Sequence, residues 1–339
     1  MTFSFYRSSI AQSMASIIAG GALVVTLACG PEDYQKPIQG FQDASNTVIA
    51  ADRAFLSNEN TNEQNLFIDQ RVFEQKPFGP AEIDKQTIIS SAEIKTRTQA
   101  LDALSHYTTN LATLAQGKAG SSVGQDTKAL STNLQTLAKD AANQLNPNKD
   151  QAAFNTKFSG VAGAAAAAIG AVAQLIIDHK ARTEIEKSIK ETDKDVTALV
   201  SLIGDDAQGS YLRQKAQLGA YGVQLYKDYA CEIAVGDSAA DVDGVRCPKK
   251  EKGVQVDPAI LLTLADRIKS FRVQQATLEN ANPAPAIAQM QKSHEALVTF
   301  VSSNKSPQTL SELITDVQNF ITAAQPLGQA VQSLMTATK

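Results

Sequence analysis

From Asp150 the chain runs to Pro248 without a proline, and in its later part apolar residues recur at alternating intervals of four and three. Ile185, Ile189, Thr192, Val196, Leu199 and Ile203 form one such seam, and Leu212, Ala216, Gly219, Val223, Tyr226 and Ala230 form the next. A repeat near 3.5 residues keeps one helix face on its neighbour over many turns, as in coiled coils and lengthwise-packed bundles. Asp150 is a suitable N-cap and Gly204 the first convincing stop, so residues 151–203 are expected to form one helix of roughly 80 Å at 1.5 Å per residue.

The same helical pattern extends in both directions. Leu101, Leu104, Leu111 and Leu114 share a stripe, and so do Leu130, Leu134, Leu137, Ala141 and Leu145. Asp257-Pro258 reads as a cap followed by a first-turn proline, opening a helix with Leu261, Leu264, Ile268, Phe271 and Leu278 on its seam. Asn282-Pro283-Ala284-Pro285 breaks the chain before a seam of Ile287, Met290, His294, Leu297 and Val301. Ser306-Pro307 starts a last helix from Leu310 to Leu334, with Pro326 inside it. Before all of these, Asn58 to Asn65 (NENTNEQN) reads as a polar, turn-rich break, and KPFGP at 76–80 marks a boundary. Hydrophobic residues make up 43% of the chain but aromatics only 6%, with no Trp. That composition suits helices packed through small and aliphatic side chains. The expected fold is all-α, an elongated antiparallel helical bundle with long coiled-coil-like helices.

Residues from Phe158 to Ile177 form a run without charge that is dominated by alanine. Its length passes the test for a membrane span, but its content makes insertion marginal. Gly160, Gly163 and Gly170, with alanines such as Ala167 between them, remove bulk around the helix and permit close backbone approach. Three uses stay open for this segment around Ile169: a buried central helix, which the composition favours, a membrane-active element exposed by rearrangement, or a constitutive span.

The first residues carry one charge, Arg7, and then an uncharged run from Ser8 to Ala28. A cationic start, an apolar core and small residues at its end describe a secretory signal. Its last four residues, Thr26-Leu27-Ala28-Cys29, resemble the lipobox of bacterial lipoproteins, although that family prefers Leu where Thr26 stands. The resemblance implies removal of residues 1–28 and attachment of a diacylglycerol to Cys29. It places the chain in the cell envelope, held to a membrane by lipid, and Gly30 after the cysteine favours outer-membrane sorting. Three cysteines are an odd count for an exported chain. With Cys29 carrying lipid, Cys231 and Cys247 remain as a pair that an oxidising compartment would join. Closing such a loop contributes about 3 kcal/mol in the chain-entropy account.

Catalytic signals are weak. His106, His179 and His294 are scattered, and none stands in a frame that would put two metal ligands on one helical face. Asp102 and His106 are spaced for a surface pair, and His294 falls on an apolar seam where a hydrogen-bonded core histidine is expected. Asp237, Asp241 and Asp243 lack the oxygens and closing Glu of a calcium loop, so a solvated acidic loop is expected there. The formal net charge is −4, and no basic stripe with interleaved aromatics speaks for nucleic acid. No cofactor is expected.

The resulting organisation is a signal peptide (1–28), an N-terminal tether with an irregular or helical segment (29–83), a long-helix core (84–235), a disulfide-closed loop (236–256) and C-terminal helices (257–339). The expected function is non-enzymatic: a lipid-anchored envelope protein that binds or scaffolds another envelope protein or a cell-wall component. The alternative is membrane perturbation through 158–177, by an architectural resemblance to α-helical pore-forming toxins of the cytolysin and tripartite-enterotoxin kind.

Overall fold

A computed structural model describes residues 35–74, 76–116, 156–161, 163, 170, 182–233, 241–242, 245–247, 257–303 and 306–337. Cys29, Ala167 and Ile169 lie outside these residues, as does the stripe from Leu130 to Leu145. The main elements are α1 (Gln35–Phe73), α2 (Pro80–Asp84), α3 (Ser91–Ala115), α4 (Arg182–Ile233), α5 (Pro258–Glu279), α6 (Ala284–Ser302) and α7 (Pro307–Ala337). Residues 156–161 are also helical. The fold is all-α and its helices pack as a bundle.

The polar run from Asn58 to Asn65 is not a break; it continues α1, which is 39 residues long. Its side chains find partners that a solvent-exposed turn would not offer. The Glu59 carboxylate accepts from Arg213. Asn60 Oδ1 accepts from the backbone N–H groups of Ile88 and Ile89 at 2.9 and 3.0 Å, and its amide donates to the Ile89 carbonyl at 2.7 Å. Those bonds hold the approach to α3. Ser90 and Glu93 then start that helix by a reciprocal cap, side chain to backbone in both directions.

Side-chain pairs set the direction of each helix. Gln39 meets Gln116 and Gln42 meets Thr109, so α3 runs antiparallel to α1. Glu59 meets Arg213 and Glu63 meets Gln217, so α4 runs parallel to it. Against α4 lie α5 and α6, one after the other and both antiparallel: Phe271 packs at Gly222, and Ile287 at Gly204. The break at 280–283 therefore divides one long antiparallel track into two helices. α7 folds back along α6, with Ser293 donating to the Asp316 carbonyl at 2.8 Å, and lies parallel to α1 through Gly40–Val317 and Gly328–Thr47.

Two expectations about α4 are overturned. Gly204 does not end a helix; it lies inside one that covers 52 residues, about 78 Å at the α-helical rise. A Cβ there would stand 2.6 Å from Ile287 Cγ2, so the glycine serves close approach to α6. The second correction concerns the two seams. Ile189, Thr192, Val196, Leu199 and Ile203 are buried as expected. Leu212, Ala216, Gly219, Val223 and Tyr226 face outward instead. In this half α4 turns Gly222, Leu225, Asp228 and Cys231 to its neighbours.

The later helices follow the sequence closely. Asp257 caps α5 by accepting from the Ala259 N–H at 2.8 Å, with Pro258 in the first turn. Leu264, Phe271 and Leu278 are buried, as are Ile287, Met290, His294, Leu297 and Val301. Pro326 lies within α7 on an exposed position. The acidic loop contributes a short antiparallel ladder, β1 (Asp241–Val242) with β2 (Val245–Arg246).

Candidate functional site

The sulfurs of Cys231 and Cys247 are 2.11 Å apart, with a Cα–Cα distance of 5.1 Å. The bond ties the last turn of α4 to the β1–β2 hairpin, and both cysteines are buried.

Of the glycines in the uncharged run, Gly160, Gly163 and Gly170 are among the described residues. Gly160 is exposed, and among the described residues nothing lies within 4 Å of a Cβ built on Gly160 or Gly163. Among the described residues, a Cβ would come within 3.0 Å of a neighbour at Gly40, Gly204, Gly222 and Gly328, which lie where long helices touch. Gly170 is helical and half-buried, while Phe158 is fully buried. Among the described residues no helix is long and apolar enough to cross a membrane.

Two polar clusters lie inside the bundle. The first joins α1, α3 and α4. Arg97 Nε donates to both oxygens of Asp206, at 3.0 and 2.8 Å, and both side chains are under a tenth exposed. Arg213 donates through Nε and Nη2 to Glu59 Oε1, at 3.1 and 3.0 Å, and through Nη2 to Ser210 Oγ at 3.0 Å. Asp52 is buried beside them, and its Oδ1 accepts no hydrogen bond among the described residues. Burial holds the Asp52 carboxyl well above the usual carboxylate range; the nearby Asp206 charge adds to the shift, and Arg97 opposes it. Burial also raises Glu59, against the opposing charge of Arg213. With three carboxyls facing two guanidinium groups, Asp52 is the natural holder of a proton.

None of these five residues stood out in the sequence, yet a signal was present. Phe41, Ser45, Val48, Asp52, Phe55 and Glu59 alternate by four and three, and all six are buried. Arg97 continues backward from Leu101 and Leu104, and Asp206 forward from Leu199 and Ile203, at the same spacing. Polar residues on seam positions mark an interior network.

The second cluster centres on His294. Its Nε2 lies 3.1 Å from the Tyr107 hydroxyl, and its Nδ1 lies 3.5 Å from Asp193 Oδ1. The longer separation is an electrostatic contact rather than a hydrogen bond. Phe41 and Tyr107 flank the imidazole, and Phe41 stacks at a tilt on Phe320. Burial lowers the His294 pKa to about 4, with the Asp193 charge opposing, so the ring is neutral at pH 7. A Tyr–His–Asp series has the composition of a proton relay, but Tyr107 is 0% and His294 1% exposed. A substrate cannot reach it in this packing. His294 is the hydrogen-bonded core histidine expected from its seam position. Asp102 pairs with Arg53 of α1, rather than with His106.

No family model, curated protein or solved structure matches the chain.

The accessible chemistry lies at the other end of α4. On the outward seam Leu212 is 53%, Val223 56%, Tyr226 42% and Ile233 44% exposed. Arg272 of α5 donates to the Tyr226 hydroxyl at 3.0 Å, and its guanidinium lies over the Tyr226 ring. α5 itself exposes Ile260, Leu262 and Val273. Among the described residues no group of His, Cys, Asp and Glu is placed to hold a metal ion.

Proposed function

We propose that this chain is a non-enzymatic, lipid-anchored envelope protein that binds through the outward seam of α4. The observation that carries the binding role is the exposure of Leu212, Val223, Tyr226 and Ile233 at coiled-coil spacing. Soluble monomers rarely leave a contiguous apolar patch of this kind without an occupant. The anchoring role rests on the lipobox-like sequence ending at Cys29, and outer-membrane placement on Gly30 after it. Residue 35, where α1 begins, is only six positions beyond that cysteine. A tether of that length spans at most about 20 Å, so the bundle would be held near the membrane by the end opposite its exposed seam.

A photo-crosslinking residue placed at Val223 in cells tests the binding role. Covalent adducts are expected from Val223 but not from an exposed polar position of α7 such as Glu312. Absence of adducts at Val223 sinks the reading, whatever the identity of the partner. Anchoring is tested separately: Cys29→Ser should abolish acyl labelling and release the chain from the membrane fraction.

A further inference from the structure

We infer that the partner of this seam is a second copy of the same chain, packed antiparallel about Tyr221. This rests on the reading of the seam as an interaction surface and names its occupant. The argument is one of self-complementarity. Antiparallel coiled coils place each a position opposite a d position of the other helix, and facing positions interdigitate best when large residues meet small ones. With the two-fold axis at Tyr221, Leu212 of one copy meets Ala230 of the other, Ala216 meets Tyr226, and Gly219 meets Val223. Every layer then pairs a bulky side chain with an alanine or a glycine. The remaining three layers repeat these by symmetry.

Other arrangements of the same helix lack this match. In a parallel, in-register pair, Gly219 faces Gly219 and Tyr226 faces Tyr226, so voids alternate with clashes. An antiparallel pair shifted by one heptad puts Gly219 against Ala230 and Val223 against Tyr226, again small on small and large on large. Leu212, Ala216, Gly219, Val223 and Tyr226 are exposed and Ala230 is half-buried; Tyr226 also touches Arg272 and Phe271 of α5, and a Cβ on Gly219 meets nothing described within 4 Å. No described residue packs against Gly219, in contrast to Gly222 three residues on, where a Cβ would stand 2.2 Å from Phe271 Cζ.

Area places a condition on the complex. A helix face about 33 Å long and about 10 Å wide is less than the roughly 800 Å² per partner of a standard stable interface. α5 borders the seam at Tyr226 through Arg272, and its exposed apolar residues are the available source of the remainder. The arrangement also has a consequence for the tethers. Phe41, near the start of α1, packs on His294 beside Asp193, about 40 Å along α4 from Tyr221. Two copies therefore place their N-terminal ends roughly 80 Å apart, at opposite ends of the pair.

The test uses the full chain purified in detergent. Its mass is measured by light scattering, and helical content by circular dichroism. The parent is expected to be a dimer. Gly219→Leu and Val223→Asp are each expected to weaken association by about tenfold or more, through overpacking and a buried charge, with unchanged helicity. Register is read from mixed single-cysteine variants: Gly219→Cys with Val223→Cys should form a disulfide-linked heterodimer above the parent background. Leu212→Cys with Val223→Cys should not. A monomeric parent, a dimer that survives both substitutions, or cross-linking without this register overturns the inference. If the parent is monomeric while Val223 still captures a different protein in cells, the seam remains a binding surface and only the second copy is excluded.

Discussion

The two halves of α4 carry the same four-three repeat and use it oppositely. Around Ile189 to Ile203 the helix is enclosed by α1, α3 and α6, and its seam is interior. Beyond Gly209 its main neighbours are the end of α1, α5 and the disulfide-linked hairpin. Every large hydrophobic residue found exposed among the described residues lies on this half of α4 (Leu212, Val223, Tyr226, Ile233), at the end of α1 (Val72) or on α5 (Ile260, Leu262, Val273). Periodicity reports that a face is built to be covered; it does not report whether the cover belongs to the same molecule.

The largest effect should come from the junction between the halves, where Arg97 and Asp206 are buried together. Arg97→Met leaves the carboxylate without its partner and should cost about 3–5 kcal/mol, read as a fall in the urea midpoint. Arg97→Met with Asp206→Leu should recover most of that loss, because no charge is then left buried. An Arg97→Met midpoint equal to the parent's would show that the pair does not tie α3 to α4. Somewhat smaller is the expected effect of Cys231→Ser with Cys247→Ser. About 3 kcal/mol is expected from the loop-closure account. Hydrogen exchange should accelerate in the last turns of α4 and the first of α5, while α6 and α7 stay protected. Uniform acceleration across the chain would contradict a distal half that depends on its own staple.

Two titrations then separate the buried clusters by sign. The His294 pKa is depressed to about 4 by burial, against the Asp193 charge. The unfolded chain therefore binds more protons between about 6.5 and 4, and stability falls as pH drops through that window. The Asp52 carboxyl is raised by burial and by Asp206, with Arg97 and Arg213 opposing and Glu59 reinforcing. There the folded state holds the extra proton, so stability falls as pH rises from the ordinary carboxylate value through the raised one. Thermal midpoints against pH should show a shallower acid limb for His294→Gln and a shallower upper limb for Asp52→Asn. If neither limb changes, the protonation states assigned to the two clusters are wrong.

Much of this architecture was legible in the sequence because its helix signals are local. Asp257-Pro258, the proline-rich break at 282–285 and Ser306-Pro307 each act within a turn of where they stand, and each begins or divides a helix as read. The misreadings share one cause, which is that tertiary partners reassign a local signal. Gly204 carries the residue type of a stop, but Ile287 uses its missing side chain for contact. NENTNEQN has the composition of a turn, but Arg213 and the backbone before α3 use its polar groups. The outward face of α4 could not be told from its inward face, since both halves satisfy the same repeat. The buried carboxyls were readable only as charges standing on seam positions, a signal that acquires meaning once the seam's neighbours are known.

The smallest predicted effects fall on the exposed surface and bear directly on the contrast between the halves. Leu262 is 68% and Val273 56% exposed on α5, so Leu262→Ser and Val273→Ser remove little buried area from the isolated chain. Their unfolding free energies, measured at dilutions where association is negligible, should stay within about 0.5 kcal/mol of the parent. The same chemistry applied to the enclosed half behaves differently: Leu104, fully buried in α3, should cost about 2–5 kcal/mol as Leu104→Ala. If association through the distal half is what these residues serve, the α5 variants should change stability only at concentrations where a complex forms, since binding adds to apparent stability by mass action. A loss of more than 1 kcal/mol per substitution at high dilution would mean that these α5 side chains are already covered within one chain. The distal half would then be a second core, and no longer an open face.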